Sequence, residues 1–512
     1  MIGENLIPAT DASSATVGSL VDQLIEAGPQ AVRNPAVRKI MAGFGERWIM
    51  GNLRKSRLDS PEPPGVNDDQ TAISLAILRA AERALTEYKL SEATVRGLMG
   101  VLARDQLVDK HARREKAATF AAQYGQEQPS FLTISPSRAC NLHCTGCYAD
   151  SDAVQKQLEW EIVDRLVSEA MDLWASQLMV ISGGEPLAYR SQGKTVLDLA
   201  EAHPNCFFMM FTNGTLIDDA TAERMARLGN LLPAISLEGW EERTDARRGA
   251  GVYQKVMAAM QRLHRNGVPF GVSLTATRHN AEELLSEDFI DFLYEEKHAL
   301  FGWVFQYMPI GRSLTLDLMP TPQQRLWMWR RSWDLVRNKR IFLADFWNHG
   351  TAVGGCLSAG GYGKGGYMYI NWNGSVSPCV FVPYSPVNIH TVYARGGNLN
   401  DVFMEPFFAG IRAWQKEYQH KNLMAPCVIR DHNDVLRRLI GQYEPEPIDA
   451  NAQAALLDPA YGAGLDTYSA EFQQLAGPVW DEYYCRPVKK SDVQLGELPQ
   501  LDPMLAESSI TG

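Results

Sequence analysis

Hydrophobic positions in the first quarter of the chain recur at intervals of three and four residues, which predicts amphipathic helices. The first such set is Val37, Ile40, Met41, Phe44 and Trp48. Similar patterns predict helices near residues 71–88 and 91–107. The Pro- and Asp-rich segment 59–69 predicts a linker between helices. We therefore expect residues 1–125 to form an all-helical region.

From about residue 130 the pattern changes to short apolar runs that alternate with longer amphipathic stretches. Such alternation is typical of β-α-β units and a parallel sheet. No GxGxxG sequence follows the first apolar run, which favours an open barrel over a dinucleotide-binding sheet. The predicted strands are residues 131–135, 177–182, 206–212, 233–238, 269–276 and 301–308, and the predicted helices between them include 158–174, 218–228 and 252–266.

The remainder of the chain divides into two further regions. Residues 365–394 carry no charged side chain, and Asn373-Gly374 within them predicts a β-hairpin. Beyond residue 441 the pattern is helical and acidic, with little periodicity from about Lys489, where we expect a mobile tail. The predicted fold is α/β, a partial (β/α)6 barrel with a helical N-terminal region and a C-terminal α+β extension. The predicted domains are 1–125, 126–345, 346–440 and 441–512.

Composition narrows the class of protein. Of 512 residues, 45% are hydrophobic, and 49 Lys and Arg against 60 Asp and Glu give a net charge of −11. This composition excludes a wholly disordered chain, and the acidic balance argues against a protein that binds nucleic acid. No secretory signal opens the chain and no run of about 20 apolar residues could span a membrane. We expect a cytoplasmic protein, whose eight Cys are metal ligands or buried thiols rather than disulfides.

One segment departs from the acidic balance. Residues 32–57 contain seven Lys and Arg but a single acidic residue, Glu46. The simpler interpretation is a helix that packs on its own protein with its basic face in water. The alternative is peripheral contact with a membrane surface or a partner, which basic helices bearing Trp and Met can make.

The strongest chemical signal is the sequence Cys140-Asn-Leu-His-Cys144-Thr-Gly-Cys147, directly after the first predicted strand. Three thiolates this close can surround one metal centre. A [4Fe–4S] cluster takes one ligand on each iron, so three Cys would leave one iron for an external ligand. A zinc site would need a fourth protein ligand and stays open as the alternative. The position at the C-terminal end of a strand is where barrels of this type carry their active sites.

A CxxxCxxC run after the first strand of a partial barrel resembles the radical S-adenosylmethionine (SAM) enzyme superfamily. Ser182-Gly-Gly-Glu-Pro186 after the second strand resembles the GGEP motif of that family, in which backbone and a carboxylate hold the SAM amino group. By this resemblance Arg248 would hold the SAM carboxylate, and Arg247 is a near-equal candidate for the same role. The segment 307–311 would border the adenine. By this resemblance the cluster ligands are Cys140, Cys144 and Cys147, and the SAM-binding residues are Gly183, Gly184, Glu185, Asn213, Ser236 and Arg248.

One position departs from the family pattern. Many members carry an aromatic residue just before the third Cys, whereas this chain has Gly146 there and Tyr148 just after it. We expect His143 to be a loop side chain without a function. Cys206, inside an apolar run, is expected to pack in the core.

A second group of cysteines lies in the Gly-rich C-terminal region. Cys356, Cys379 and Cys427 resemble the ligands of SPASM or twitch extensions, which hold auxiliary iron–sulfur clusters. The dense CxxC run of a full SPASM domain is absent, so the resemblance implies one auxiliary cluster. Its fourth ligand could be Cys485, Asp431, His432 or the substrate, and buried free thiols are the simpler alternative.

The resemblance implies a reaction class. It predicts reductive cleavage of SAM and abstraction of hydrogen from an unactivated C–H bond of a small-molecule or lipid-like substrate. The predicted cofactors are a [4Fe–4S] cluster, SAM and an auxiliary cluster, and the predicted partner is an electron donor such as flavodoxin or ferredoxin. A maturase of a peptide or protein is the alternative, and a non-catalytic iron–sulfur electron carrier is the alternative from another class.

Overall fold

The computed structural model describes residues 28–103, 110–154, 156–363 and 365–487. The expected mobile tail from about residue 489, and the first 27 residues of the expected helical region, lie outside the described residues.

A ten-stranded sheet forms the centre of the molecule. Its strand order is β11-β9-β8-β1-β2-β3-β4-β5-β6-β7. Strands β1 to β7 are parallel neighbours in chain order, β8 adds in parallel beside β1, and β9 returns antiparallel to β8. The strands are β1 (Phe131–Ile134), β2 (Leu178–Ile181), β3 (Phe207–Thr212), β4 (Leu231–Leu237), β5 (Gly271–Ala276), β6 (Phe301–Gln306), β7 (Phe342–Asp345), β8 (Tyr367–Ile370), β9 (Ser375–Ser377), β10 (Tyr384–Ser385), β11 (Val387–Asn388) and β12 (Glu446–Pro447).

The six predicted strands and the predicted open α/β architecture are confirmed. The structure adds a seventh parallel strand, β7, which the sequence analysis did not predict and which ends in the charged residue Asp345. The predicted hairpin is also confirmed: β8 and β9 are joined through Gly374, whose φ of 79° suits the turn.

Helices cover the outer faces of the strands. The helix α5 is typical, since it buries Val163, Leu166, Val167 and Ala170 at helical spacing against the sheet. The α-helices of the described residues are α1 (Pro35–Asp59), α2 (Pro64–Glu87), α3 (Glu92–Ala103), α4 (Lys110–Tyr124), α5 (Trp160–Trp174), α6 (Val196–Ala202), α7 (Asp219–Leu228), α8 (Glu241–Arg248), α9 (Val252–Arg265), α10 (Ala281–Leu284), α11 (Glu287–Asp291), α12 (Pro322–Asp334), α13 (Gly350–Val353), α14 (Ile389–Ala394), α15 (Leu399–Phe403), α16 (Pro406–Tyr418), α17 (Asn433–Tyr443), α18 (Ala450–Leu457) and α19 (Pro459–Val479).

The predicted linker 59–69 is wrong in its second half. Helix α2 begins at Pro64, because proline at the first helical position loses no intrahelical hydrogen bond. Asp69 in its second turn is fully buried and accepts hydrogen bonds from Arg337, Thr351 and Tyr484. This acid therefore ties the N-terminal helices to the barrel and to the C-terminal end of the described chain.

Helix α1 packs on its own protein but leaves part of its apolar stripe exposed. It packs on α2, where Gly45 approaches Leu78. On the other side Ile40 is 69% exposed, Phe44 63% and Trp48 63%. The described residues therefore agree with the simpler interpretation in the packing of this helix, and they leave an apolar surface uncovered. In the described part of the chain, no helix combines the length and the apolar character needed to cross a membrane.

Candidate functional site

The three clustered cysteines follow β1 and line a cavity of about 220 Å³ inside the open barrel, here called the chamber. Cys140, Cys144 and Cys147 are half-buried. Burial raises the pKa of Cys140 to about 11, and the nearby Glu185, Cys144 and Cys147 add to this. All three cysteines line the chamber, so the fold brings them to one wall of this cavity.

Two arginines from distant parts of the chain hold the cysteine loop. Arg247 donates to the carbonyls of Thr145 (3.1 Å) and Gly146 (3.5 Å). Arg312 donates its Nη1 to the carbonyl of Cys144 at 2.7 Å and its backbone N–H to the carbonyl of Cys147 at 3.0 Å. Sequence analysis missed Arg312, because nothing local marks a residue after β6 as a neighbour of the loop after β1.

The structure accounts for the glycine that precedes the third cysteine. Gly146 has a φ of 64°, and a Cβ atom there would lie 2.6 Å from Cε2 of Tyr307. Tyr307, at the end of β6, thus occupies the space beside Gly146 and lines the chamber. The aromatic ring at this place comes from another strand, whereas Tyr148 turns to Ser182, with 2.6 Å between the hydroxyl oxygens.

The glycines of the GGEP-like motif permit a close approach of two backbones. A Cβ atom on Gly184 would lie 2.2 Å from the carbonyl oxygen of Ala139, directly before Cys140. The backbone N–H of Gly184 donates to Ser137 at 2.9 Å, and that of Glu185 donates to Ala139 at 2.8 Å. Gly183 and Gly184 therefore fasten the cysteine loop and also line the chamber.

Glu185 lies behind the chamber wall. Its carboxylate is fully buried and accepts hydrogen bonds from Thr212 (2.6 Å), the backbone of Asn213 (2.8 Å) and the backbone of Leu187 (3.0 Å). Burial raises its pKa against these hydrogen bonds. In this geometry the residue joins the ends of β2 and β3, so its expected contact with the SAM amino group stays a prediction.

The other residues expected to bind SAM meet on the chamber wall. Asn213, Ser236 and Arg248 all line it beside the cysteines. Asn213 lies 3.8 Å from Sγ of Cys140 through its Nδ2. His143 is exposed, as expected of a loop side chain, and Cys206 is fully buried in the core.

Arg247 and Arg248 share one carboxylate but differ in their other contacts. Both place a guanidinium nitrogen 2.6 Å from Oε1 of the buried Glu238. Arg247 uses its remaining donors for the cysteine loop. Burial by itself lowers the pKa of Arg248, but Glu238 and Cys144 raise it above its ordinary value. Arg248 is therefore the better placed of the two to hold an anion beside the cysteines.

Beyond the cysteines the chamber is mostly aromatic. Alternate residues of β3 and β6 point inward and stay half-buried, whereas their neighbours are fully buried on the outer face. Ser273, Thr275 and Gln306 supply polar groups on the same wall. The apolar side chains of the chamber include Phe131, Val180, Met209, Phe211, Trp303, Phe305, Phe346 and Phe381.

The second group of cysteines also converges, although more than 70 residues of sequence separate Cys356 from Cys427. Burial raises the pKa of Cys427, and Asp431, Cys356 and Cys379 raise it further. The Tyr367 hydroxyl lies 2.9 Å from Sγ of Cys379, and the same tyrosine lines the chamber. The second group of cysteines thus adjoins the chamber through Tyr367.

The side chains considered as fourth ligand are engaged elsewhere. Asp431 forms a fully buried ion pair with Arg325 and accepts the backbone N–H of Cys427 at 3.1 Å. His432 contacts the carbonyl of Ala425 at 3.0 Å through Nε2. Cys485 is exposed, and its pKa is raised by burial and by Asp481 rather than by the three thiols.

The structure leaves the identity of the metal centre as a prediction. Across 28–103, 110–154, 156–363 and 365–487, no three His, Cys, Asp or Glu side chains lie closely enough together to hold one metal ion. A zinc ion draws its ligands to within about 2.3 Å of one point, whereas the irons of a cluster lie at separate corners.

Comparison with known proteins agrees with the geometry. The model of the radical SAM superfamily matches residues 134–289, from β1 to α11. The chain is 24% identical to Fe-coproporphyrin III synthase of Methanosarcina barkeri (36% of this chain, 45% of that protein). It is 23% identical to AdoMet-dependent heme synthase of the same organism (60% and 90%). It is 25% identical to the sporulation killing factor maturation protein SkfB of Bacillus subtilis (49% and 60%).

Residues 134–289 therefore form a radical SAM domain. The first cysteine loop, the Gly183-Gly184 turn and the chamber residues Asn213, Ser236 and Arg248 lie within the matched domain. The match spans less than half of the first relative's length. The second cysteine group lies in the part of the chain beyond the matched domain.

Proposed function

We propose that this protein is a radical SAM enzyme that abstracts hydrogen from an unactivated C–H bond of an apolar small-molecule or lipid-like substrate. The observation that carries the proposal is the aromatic chamber directly beyond the Cys140, Cys144 and Cys147 loop. Together, a cluster and SAM bound there supply a 5′-deoxyadenosyl radical by reductive cleavage of SAM.

Different residues of the chamber wall would bind the cluster and orient SAM. Cys140, Cys144 and Cys147 would hold the cluster through three of its irons, and SAM would bind beside it. We propose that Arg248, held by Glu238, binds the SAM carboxylate, and that Asn213 and Ser236 contact the rest of the molecule. Gly183 and Gly184 expose backbone groups on the same wall, and Glu185 holds their turn or reaches the amino group.

The substrate class follows from the chamber lining. Rings such as Phe211, Trp303 and Phe305 exclude water, which protects a reactive radical from side reactions. Among the lining residues, the only cationic side chains are Arg247 and Arg248, and both are paired with Glu238. An apolar segment of substrate therefore fits this wall better than a highly anionic one.

We propose that Cys356, Cys379 and Cys427 hold an auxiliary iron–sulfur cluster. Tyr367 joins the Cys379 thiol to the chamber wall, which supports exchange of an electron between substrate and cluster. Free thiols at two sites favour a reducing compartment, so we propose the cytoplasm, with flavodoxin or ferredoxin as electron donor.

Anaerobic reconstitution with SAM and dithionite tests the enzyme against its alternatives. We expect 5′-deoxyadenosine in the products and about eight irons per chain, four for each cluster. An electron carrier would form no 5′-deoxyadenosine. Four irons would contradict the auxiliary cluster.

Substrate identity separates the small-molecule proposal from the maturase alternative, for which the likeness to SkfB offers support. Extracts from cells with and without the protein, compared by untargeted mass spectrometry, should differ in a lipid or small molecule. A difference confined to peptides or proteins would overturn the proposed substrate class.

The exposed stripe of α1 supports a second proposal, peripheral contact with an anionic membrane. Exposed Lys39 and Arg47 accompany Ile40, Phe44 and Trp48 within a basic segment of an otherwise acidic chain. Apolar rings beside basic residues match the interface of an anionic bilayer. The contact would place an apolar chamber near a source of lipid.

Vesicle sedimentation tests this contact. Binding should rise when phosphatidylglycerol is added to phosphatidylcholine vesicles, and F44S/W48S should weaken it more than tenfold, because two large apolar side chains are lost. The control is L457S, which alters an equally exposed leucine on another helix. The proposal would be refuted if F44S/W48S bound vesicles as well as wild type. It would also be refuted if the wild-type protein self-associated through this stripe and the double variant lost that self-association instead of vesicle binding.

A further inference from the structure

The C-terminal helix α19 presents one face to the rest of the protein. Tyr461, Leu465, Ser469 and Gln473 follow one another at intervals of four residues, so they share that face. On the other side Thr467 is exposed and donates to the carbonyl of Ala463, within the helix, at 2.9 Å.

The first turns of α19 hold the segment that follows β6. The Tyr461 hydroxyl donates to the carbonyl of Pro309 at 3.0 Å. Leu465 is fully buried in a small cluster with Tyr307 and Met319. From the preceding helix α18, Asn451 donates to the carbonyl of Gly311 at 2.7 Å.

That segment in turn supports the first cysteine loop. Tyr307 packs on Gly146, and Arg312 donates to the carbonyls of Cys144 and Cys147. A displacement of residues 307–313 would therefore move the cysteine loop with it.

The middle of α19 holds the second cysteine group. Ser469 and Gln473 both donate to the backbone carbonyl of Asp431. The Asp431 carboxylate accepts the backbone N–H of Cys427 and pairs with Arg325. The same helix face thus contacts the supports of both cysteine groups.

We propose that α19 is a strut that sets the spacing between the two cysteine sites, with Tyr461 and Ser469 as positioning residues. These two residues lie eight positions apart, about 12 Å along the helix axis. A helix keeps such a distance with little variation, whereas the connecting chain between the sites is long. The inference rests on the proposed function for its purpose, since two clusters must keep a fixed separation to exchange electrons through one substrate.

Cysteine alkylation in the metal-free full-length protein tests the strut directly. Y461F removes the bond to Pro309 and should speed iodoacetamide labelling of Cys144 and Cys147 about threefold to tenfold, with Cys356 and Cys427 unchanged. S469A should speed labelling of Cys427 and leave Cys144 and Cys147 unchanged. Peptide mass spectrometry measures each rate, and T467V is the matched control on the exposed side.

A second measurement uses the reconstituted protein. Y461F should weaken SAM binding in equilibrium dialysis by a similar factor, while S469A should alter only the EPR signal of the auxiliary cluster. Effects of either variant on both sites alike, or no difference from T467V, would overturn the strut. Failure of the proposed function has another signature: wild-type protein that neither binds nor cleaves SAM, whatever the labelling rates.

Discussion

The two cysteine sites of this protein are built in opposite ways. The first spans eight residues of one loop, opens onto the chamber, and is held by arginines that bond its backbone carbonyls. The second collects single cysteines from three separate segments around a buried ion pair, Arg325–Asp431. A local motif can remain accessible to a cofactor, whereas a dispersed site depends on the packing of everything between its parts. We therefore expect the first site to be accessible to a cofactor and the second site to be rigid.

Removal of the first site should have the largest effect. The variant C140A/C144A/C147A should lose SAM cleavage entirely and retain about four of about eight irons, because the second site does not share ligands with the first. Product analysis for 5′-deoxyadenosine and an iron assay measure the two quantities. If this variant still cleaved SAM, the first site could not be the distinct site of SAM cleavage.

The reciprocal variant sharpens the comparison. C379A should lose the auxiliary irons, since it removes the buried thiol at the centre of the second site, yet SAM cleavage without substrate should stay within about twofold of wild type. Y367F, which keeps all three thiols, is the control. Equal loss of cleavage in C379A would mean that the second site supports the first.

The buried ion pair should matter more than any exposed one. D431N leaves Arg325 buried without its partner and should lower the free energy of unfolding by about 3–5 kcal/mol. Denaturant titration measures this, with E92Q at the exposed Arg33–Glu92 pair as the control, for which we expect about 0–1 kcal/mol. Comparable losses in both variants would contradict the proposed rigidity of the second site.

The same pair predicts a pH dependence. Burial by itself raises the pKa of Asp431, but Arg325 lowers it below its ordinary value of 3.8. The stability that the pair contributes is therefore present above about pH 4 and is lost as the pH falls through the lowered pKa. D431N should abolish this part of the acid sensitivity, which unfolding curves at pH 3 and pH 7 would reveal.

The smallest expected effect concerns Gly146. G146A places a Cβ atom against Tyr307 at a left-handed φ and should cost about 1–2 kcal/mol of stability, with weaker SAM binding. Compared with Y307A alone, which has its own cavity cost, G146A/Y307A should show the backbone strain but not the steric part. If G146A were as stable as wild type, the ring of Tyr307 would have moved away from the new Cβ atom at little cost.

Much of the barrel could be predicted because its signals are local. Strands such as β3 and β6 carry apolar runs, and their intervening helices repeat at helical spacing. Strand β7, which ends in the charged residue Asp345, was not predicted although it is as long as β1 and β2. The start of α2 at Pro64 was missed because its Pro- and Asp-rich sequence is also typical of a linker.

By itself the sequence indicated the resemblance to the radical SAM superfamily, the six-strand pattern and the candidate cysteines of both sites, because each depends on residues close together or on residue type alone. Only the tertiary structure decided that Tyr307 fills the space beside Gly146, that Glu185 lies behind the chamber wall, and that the stripe of α1 is exposed. Contacts between segments far apart in the chain depend on how all the intervening elements pack, and no short stretch of sequence encodes that packing.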